Sequence, residues 1–167
     1  MGLSAFLWHN PRMLETARDQ ASPKIQQISF FLPNRVGSLQ RVINVLDEAE
    51  VRVCGLSILD AHDHAVVRLV VDRPAKAIEK IGAGGRSVCS TELLGVALPH
   101  GDQNGISKLL RGLLRAELNV YYAYGLLVRH GLASIVVLHI DDLDTAATVL
   151  RSSGFDLVEQ NDLEQLE

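Results

Sequence analysis

The stretch "LQRVINVLDEAEVRV", Leu39 to Val53, returns 67 residues later as "ISKLLRGLLRAELNV", Ile106 to Val120. Leu39 falls on Ile106, Leu46 on Leu113, Ala49 on Ala116, Val51 on Leu118 and Val53 on Val120, without a gap. In the first copy Leu39, Val42, Ile43 and Leu46 recur at intervals of three and four, the stripe of an amphipathic helix. A helix and the strand that follows it have been duplicated, and the rest of the chain is arranged around the two copies.

Before the first copy, Ile25 to Leu32 reads as a strand, and Asn34-Arg35-Val36-Gly37-Ser38-Leu39 turns it into a helix over Val36 to Ala49. After it, "VRVCGLSILD" sets Val51, Val53, Gly55 and Ser57 on one face against Arg52, Cys54, Leu56 and Ile58 on the other. The tip "AHDH" predicts a hairpin turn into "AVVRLVVD". Asp72-Arg73-Pro74 supplies a cap and a proline for a helix through Ile81, ended by the glycines at 82, 84 and 85. "VCSTELLGVALP" is a long strand.

The second copy repeats the order: "ELLGVALP", a helix from Gly105 to Glu117, "LNVYYAYGLLV", a turn at Arg129-His130-Gly131 and "LASIVVLHI". Asp141-Asp142 then open a helix to Ser153, Gly154 ends it, and "FDLVEQ" closes. Each β-α-β-β-α-β unit predicts a four-stranded antiparallel sheet with both helices on one face. The expected fold is therefore α+β: two ferredoxin-like units in tandem, residues 24–92 and 93–167, with their sheets joined edge to edge. The run from Ser87 to Pro99 suits a strand passing from one unit to the other. Residues 1–23 form an arm or a short helix around Met13 to Gln20, and the exposed sheet edges predict a homodimer.

A net charge of −4, a pI near 5.8 and 5% aromatic residues argue against nucleic acid as a partner. No apolar run reaches the roughly 18 residues of a membrane helix. "MGLSAFLWHNPR" lacks the basic start of a secretory signal, and Phe6 stands where a myristoylation signal wants Ser or Thr. Cys54 and Cys89 are the only cysteines, which suggests a reduced, cytoplasmic setting.

The polar knot at Asn34 to Leu39 is the first candidate site. A strand-to-helix corner presents backbone N–H groups at the positive end of a helix, where a carboxylate can sit, and Gly37 lets the backbone approach closely. Asp60, His62 and His64 share a strand face but lack a fourth ligand, and hairpin tips collect such residues anyway. Asp141, Asp142 and Asp144 sit where a helix start favours acids. "GAGGRS", Gly82 to Ser87, follows a helix rather than a strand, so it reads as a connector and not as a phosphate loop. No nucleophile–base pattern appears, and neither a catalytic residue, a metal nor a cofactor is expected.

Here the sequence resembles the ACT domain family of small-molecule regulatory modules. Asn34 to Leu39 resembles that family's Asp/Asn-x-Pro-Gly-x-Leu corner, with Val36 in the proline's place. "LDEAEVRV" and "LRAELNV" resemble its Ala-Gly-Ile-Asn-Ile segment, with Glu50 and Glu117 replacing the glycine. Tyr122 and Tyr124 match the x-Tyr-x-Tyr strand of stand-alone tandem members. The second corner keeps Gly105 but has Gln103-Asn104 where the family has Pro-Gly. The resemblance covers Lys24 onward.

It implies an amino acid clasped where two units meet, by the corner of one and a strand of its neighbour. Ligand contacts would come from Asn34, Val36, Gly37, Ser38 and Leu39, with the N–H groups of Gly37, Ser38 and Leu39 facing the carboxylate, and from Asn104, Gly105 and Ile106 in the second unit. Val53, Cys54, Tyr122 and Tyr124 are candidates for lining a pocket or an interface. The function expected is non-catalytic: an amino-acid effector binds between units and alters the activity of a partner, such as a metabolic enzyme. The alternative is a protein-interaction subunit of a biosynthetic enzyme with no ligand site of its own.

Overall fold

The computed structural model of the chain describes residues 23–61 and 63–166. Its elements run β1 (Ile25–Pro33), α1 (Ser38–Glu48), β2 (Val53–Ala61), β3 (His64–Val71), α2 (Pro74–Ala83), β4 (Val88–Leu98) and α3 (Gly105–Arg115). They continue with β5 (Val120–His130), β6 (Ala133–Ile140), α4 (Leu143–Ser152), β7 (Asp156–Val158) and α5 (Gln160–Leu163). Residues 1–22 of the expected N-terminal arm lie outside the described residues, as does His62.

The duplication is visible in the backbone. Helices α1 and α3 start and end 67 residues apart, and β2 and β5 begin 67 apart. Glu50 and Glu117, at φ 54° and 57°, are the only non-glycine residues with positive φ among the described residues. Each reverses the chain after its helix so that the next N–H reaches back five residues, Val51 to the Leu46 carbonyl and Leu118 to that of Leu113. A side chain in this conformation costs roughly 1 kcal/mol relative to glycine.

A second matched pair corrects the expected cap at Asp72. The α2 N-cap is Arg73, and the Asp72 carboxylate instead accepts the Arg52 N–H at 2.9 Å. Asp141 accepts the Asn119 N–H at 3.1 Å in the same way, which leaves Asp142 to cap α4 through the Thr145 N–H.

All strands pair antiparallel, in the order β2-β3-β1-β4-β6-β5, with β7 also on β4. The joining strand is β4: Val88 to Leu93 pair with β1, and Leu94 to Leu98 pair with β6. Helices cover one face of each sheet. Val42, Leu46, Ala77 and Ile81 pack on Ile28, Phe30 and Leu69, while Leu109, Leu113, Ala146 and Leu150 pack on Leu94, Val96 and Leu138.

Beyond the edge-to-edge join, the helix-free faces close on each other around Ile25, Cys54, Val70, Leu93, Val128 and Val137. The layers run helix pair, sheet, sheet, helix pair. Among the described residues no helix is long and apolar enough to cross a membrane.

The predicted alternation in β2 fails at one place. A bulge between Val53 and Gly55 shifts the register, so Val53 and Leu56 both face the helices while Cys54 enters the space between sheets. Beside it, Gly55 leaves room for β5: a Cβ there would lie 2.4 Å from Leu126 Cδ2 and 3.4 Å from Tyr124 Cε2.

Candidate functional site

The first corner opens α1. Gly37, at φ 78°, is its N-cap, a conformation that L side chains rarely adopt. Asn34 is held by the hairpin tip: its N–H donates to the Asp63 carbonyl at 3.0 Å and its Nδ2 to Asp60 Oδ1 at 3.3 Å. Val36 projects fully into solvent, and Leu39 packs half-buried on the first core. Ser38 is buried, with its hydroxyl accepting from Arg41 Nη2 at 3.1 Å. Its N–H, read from the sequence as a ligand donor, is committed to the Arg35 carbonyl at 3.0 Å. Among the described residues the Gly37 and Leu39 N–H groups meet no backbone acceptor, so two of the three expected donors stay open.

The second corner is built on Asp102. Its backbone carbonyl accepts the Gly105 N–H at 3.2 Å, Oδ1 accepts the Asn104 N–H at 3.0 Å, and Oδ2 takes the Lys108 ammonium at 2.8 Å. The Lys108 bond, aided by the Asn104 N–H, holds this carboxyl below the usual carboxylate range. Gly105 is buried at the head of α3, where an added Cβ would come into van der Waals contact with Leu98. Ile106 is exposed and borders an apolar pocket of about 220 Å³ with Leu109, Leu110, Ala123, Tyr124 and Val136. The structure thus brings Ile106 and Tyr124 together, two residues read separately from the sequence.

The remaining candidates lie where the units meet. Cys54 is buried between the sheets, and burial pushes its thiol pKa up. Val53 borders a wider groove of about 780 Å³ that also involves Arg52, Asp72 and, from the second unit, Leu127 and Glu164. Tyr122 and Tyr124 converge on a residue that sequence reading missed. The Gln27 side chain, 1% exposed, donates from Nε2 to Tyr122 Oη and accepts from Tyr124 Oη, both at 2.8 Å. Arg68 stacks on the Tyr122 ring at 4.2 Å, and His139 lies against Tyr121 and Tyr122. No sequence signal tied Gln27 to this cluster, because its partners lie 95 and 97 residues away.

Two ferredoxin-like units with shared β4, closed on their helix-free faces and carrying a glycine corner at the head of α1 and of α3, define a tandem α+β module. Residues 23–167 match the family described as an ACT domain pair, and the chain belongs to that family. Among solved structures it is similar to protein BT0572 from Bacteroides thetaiotaomicron, at 26% identity and a TM-score of 0.78 over 86% of this chain and 97% of that one. The regulatory subunit of aspartate kinase from Thermus thermophilus shares the fold at 16% identity and a TM-score of 0.57, over 79% of this chain and 92% of that one. The corresponding subunit from Thermus flavus does so at 14% identity and 0.55, over 79% and 94%. Among curated protein sequences, none matches.

Proposed function

We propose that this chain is a non-catalytic regulatory protein that binds an amino acid at its strand-to-helix corners and passes the signal on through the packing of its units. The observation that carries the reading is the second corner. There a buried glycine begins a helix beside an apolar pocket of about 220 Å³, large enough for an aliphatic side chain. The adjacent helix start, whose Asn104 and Gly105 N–H groups are taken by Asp102, leaves those of Ile106 and Ser107 for a carboxylate. The pocket opens along β5, an edge strand, so a second copy of the chain laid along that edge would complete it. Exposed Ile106, Leu110 and Leu114 flank the same edge and support a homodimer. Free thiols at Cys54 and Cys89 agree with a cytoplasmic setting.

The test is a thermal-shift and calorimetric panel of the common amino acids on the whole chain, with the oligomeric state read by light scattering. At least one amino acid raises the Tm in wild type, and Ile106→Ser or Gly37→Ala reduces that rise. No heat and no Tm rise with any amino acid would reject the ligand reading. Silence of this kind, together with stable capture of one enzyme partner, would favour an interaction subunit without a ligand site. The solvent-facing first corner, with Asn34 already held by the hairpin, speaks for that second reading.

A further inference from the structure

On the opposite side of α3 from the apolar pocket, Lys108, Arg111, Gly112 and Arg115 border a groove of about 350 Å³, completed by Asp102 and the C-terminal end of α4. This volume lies within the ordinary range for small-molecule sites. Helix α3 carries three cations and no acid on a chain whose net charge is −4. Of these three cations, Asp102 pairs with Lys108 only. Arg111 makes one long contact, 3.4 Å to Ser107 Oγ, and Arg115 has no hydrogen-bonding or ionic partner among the described residues.

Neither arginine is needed to cap α4. The Ser153 N–H donates to the Val149 and Leu150 carbonyls, that of Gly154 to Arg151, and that of Phe155 to Leu150. Nor does the fold require the cations. At the matching places in the first copy, 67 residues earlier, stand Arg41, Asn44, Val45 and Glu48, so the Lys108 charge has a counterpart there while the Arg111 and Arg115 charges belong to the second copy only. The groove floor differs too. Gly112 replaces Val45, and a Cβ there would already sit 3.6 Å from Leu150 Cδ2 and 3.8 Å from Ser153 Oγ. A larger side chain would occupy the space between α3 and α4.

We propose that this groove binds a small, multiply charged oxyanion, a phosphate ester or a polycarboxylate. Arg111 and Arg115 act as planar forks on its oxygens and Lys108 as a point charge. The groove is separate from the corner pocket, and the proposal stands whether or not an amino acid binds there.

The experiment is calorimetry on the full chain at low ionic strength, with inorganic pyrophosphate and citrate as separate probes. Saturable binding of one probe molecule per chain is expected, weakening as salt is added. Arg111→Gln/Arg115→Gln weakens it at least about tenfold, the loss of charge-assisted bonds. Gly112→Val, which installs the first copy's residue and leaves every charge in place, blocks it. Lys76→Gln/Lys80→Gln removes two charges from α2, in the other unit, and leaves it unchanged. Binding of pyrophosphate alone assigns the phosphoryl class, and binding of citrate alone the polycarboxylate class. Binding of neither probe, or an equal loss in the α2 variant, overturns the proposal.

Discussion

The side-chain amide of Gln27 sits between two phenols, and that arrangement sets how the two sheets meet. A buried amide costs free energy unless its groups are bonded, and here donor and acceptor are both used. Burial, with the neighbouring Tyr122 adding to it, drives the ionisation of Tyr124 well above the ordinary phenol value, while Arg68 opposes weakly. The folded state therefore favours the neutral phenol. That contribution to stability is complete below about pH 10, the unfolded value, and is lost as pH rises toward the folded one. A spectrophotometric titration of the tyrosines should show one late-ionising component, absent from Tyr124→Phe, and melting temperatures should fall at alkaline pH. At this scale the sequence was only half legible. Alternation put Tyr122 and Tyr124 on one face, but nothing local marks which of Gln26 and Gln27 is buried. The fate of the Ser38 N–H was equally hidden, because it depends on how tightly the corner closes on Arg35.

Among elements, the helices and long strands could be read from apolar spacing, because packing on one face enforces the period. Their ends could not. Helix α3 stops at Arg115 rather than Glu117, since Glu117 takes the left-handed turn. The last strand shortens to three residues because Glu159 caps α5, whose Leu163 is buried in the inter-sheet core. The bulge in β2 was invisible as well, being a response to the strand beside it. Gly95 on β4 shows how closely elements approach: a Cβ would lie 2.8 Å from the Val158 carbonyl on β7 and 2.4 Å from Ile25 Cδ1. A backbone oxygen cannot swing aside as a methyl can. Gly95→Ala should therefore destabilise the protein by about 1–3 kcal/mol, read as a lower denaturant midpoint at unchanged slope. Gly125 on β5 is the contrast, with its nearest neighbour at 4.0 Å, and its alanine variant should remain near wild type.

For the whole molecule, the duplication announced two units, but their face-to-face closure came from the structure, since no residue pattern states which sheet face meets which. A shared strand and a common core leave neither unit an independent boundary. Unfolding should be a single transition, with calorimetric and van't Hoff enthalpies agreeing and near-UV and far-UV signals coincident. A fragment ending near Gly85 would lose β4 and uncover Cys54 and Val70, so it should fail to fold alone. In β4 even-numbered Leu94, Val96 and Leu98 face helices, while odd-numbered Leu93 and Ala97 face the opposing sheet. One added residue inside that strand would turn its remainder inside out. Descendants of this gene can vary in length at the hairpin, where β5 already exceeds β2 by two residues, but the seam between the halves must keep its parity.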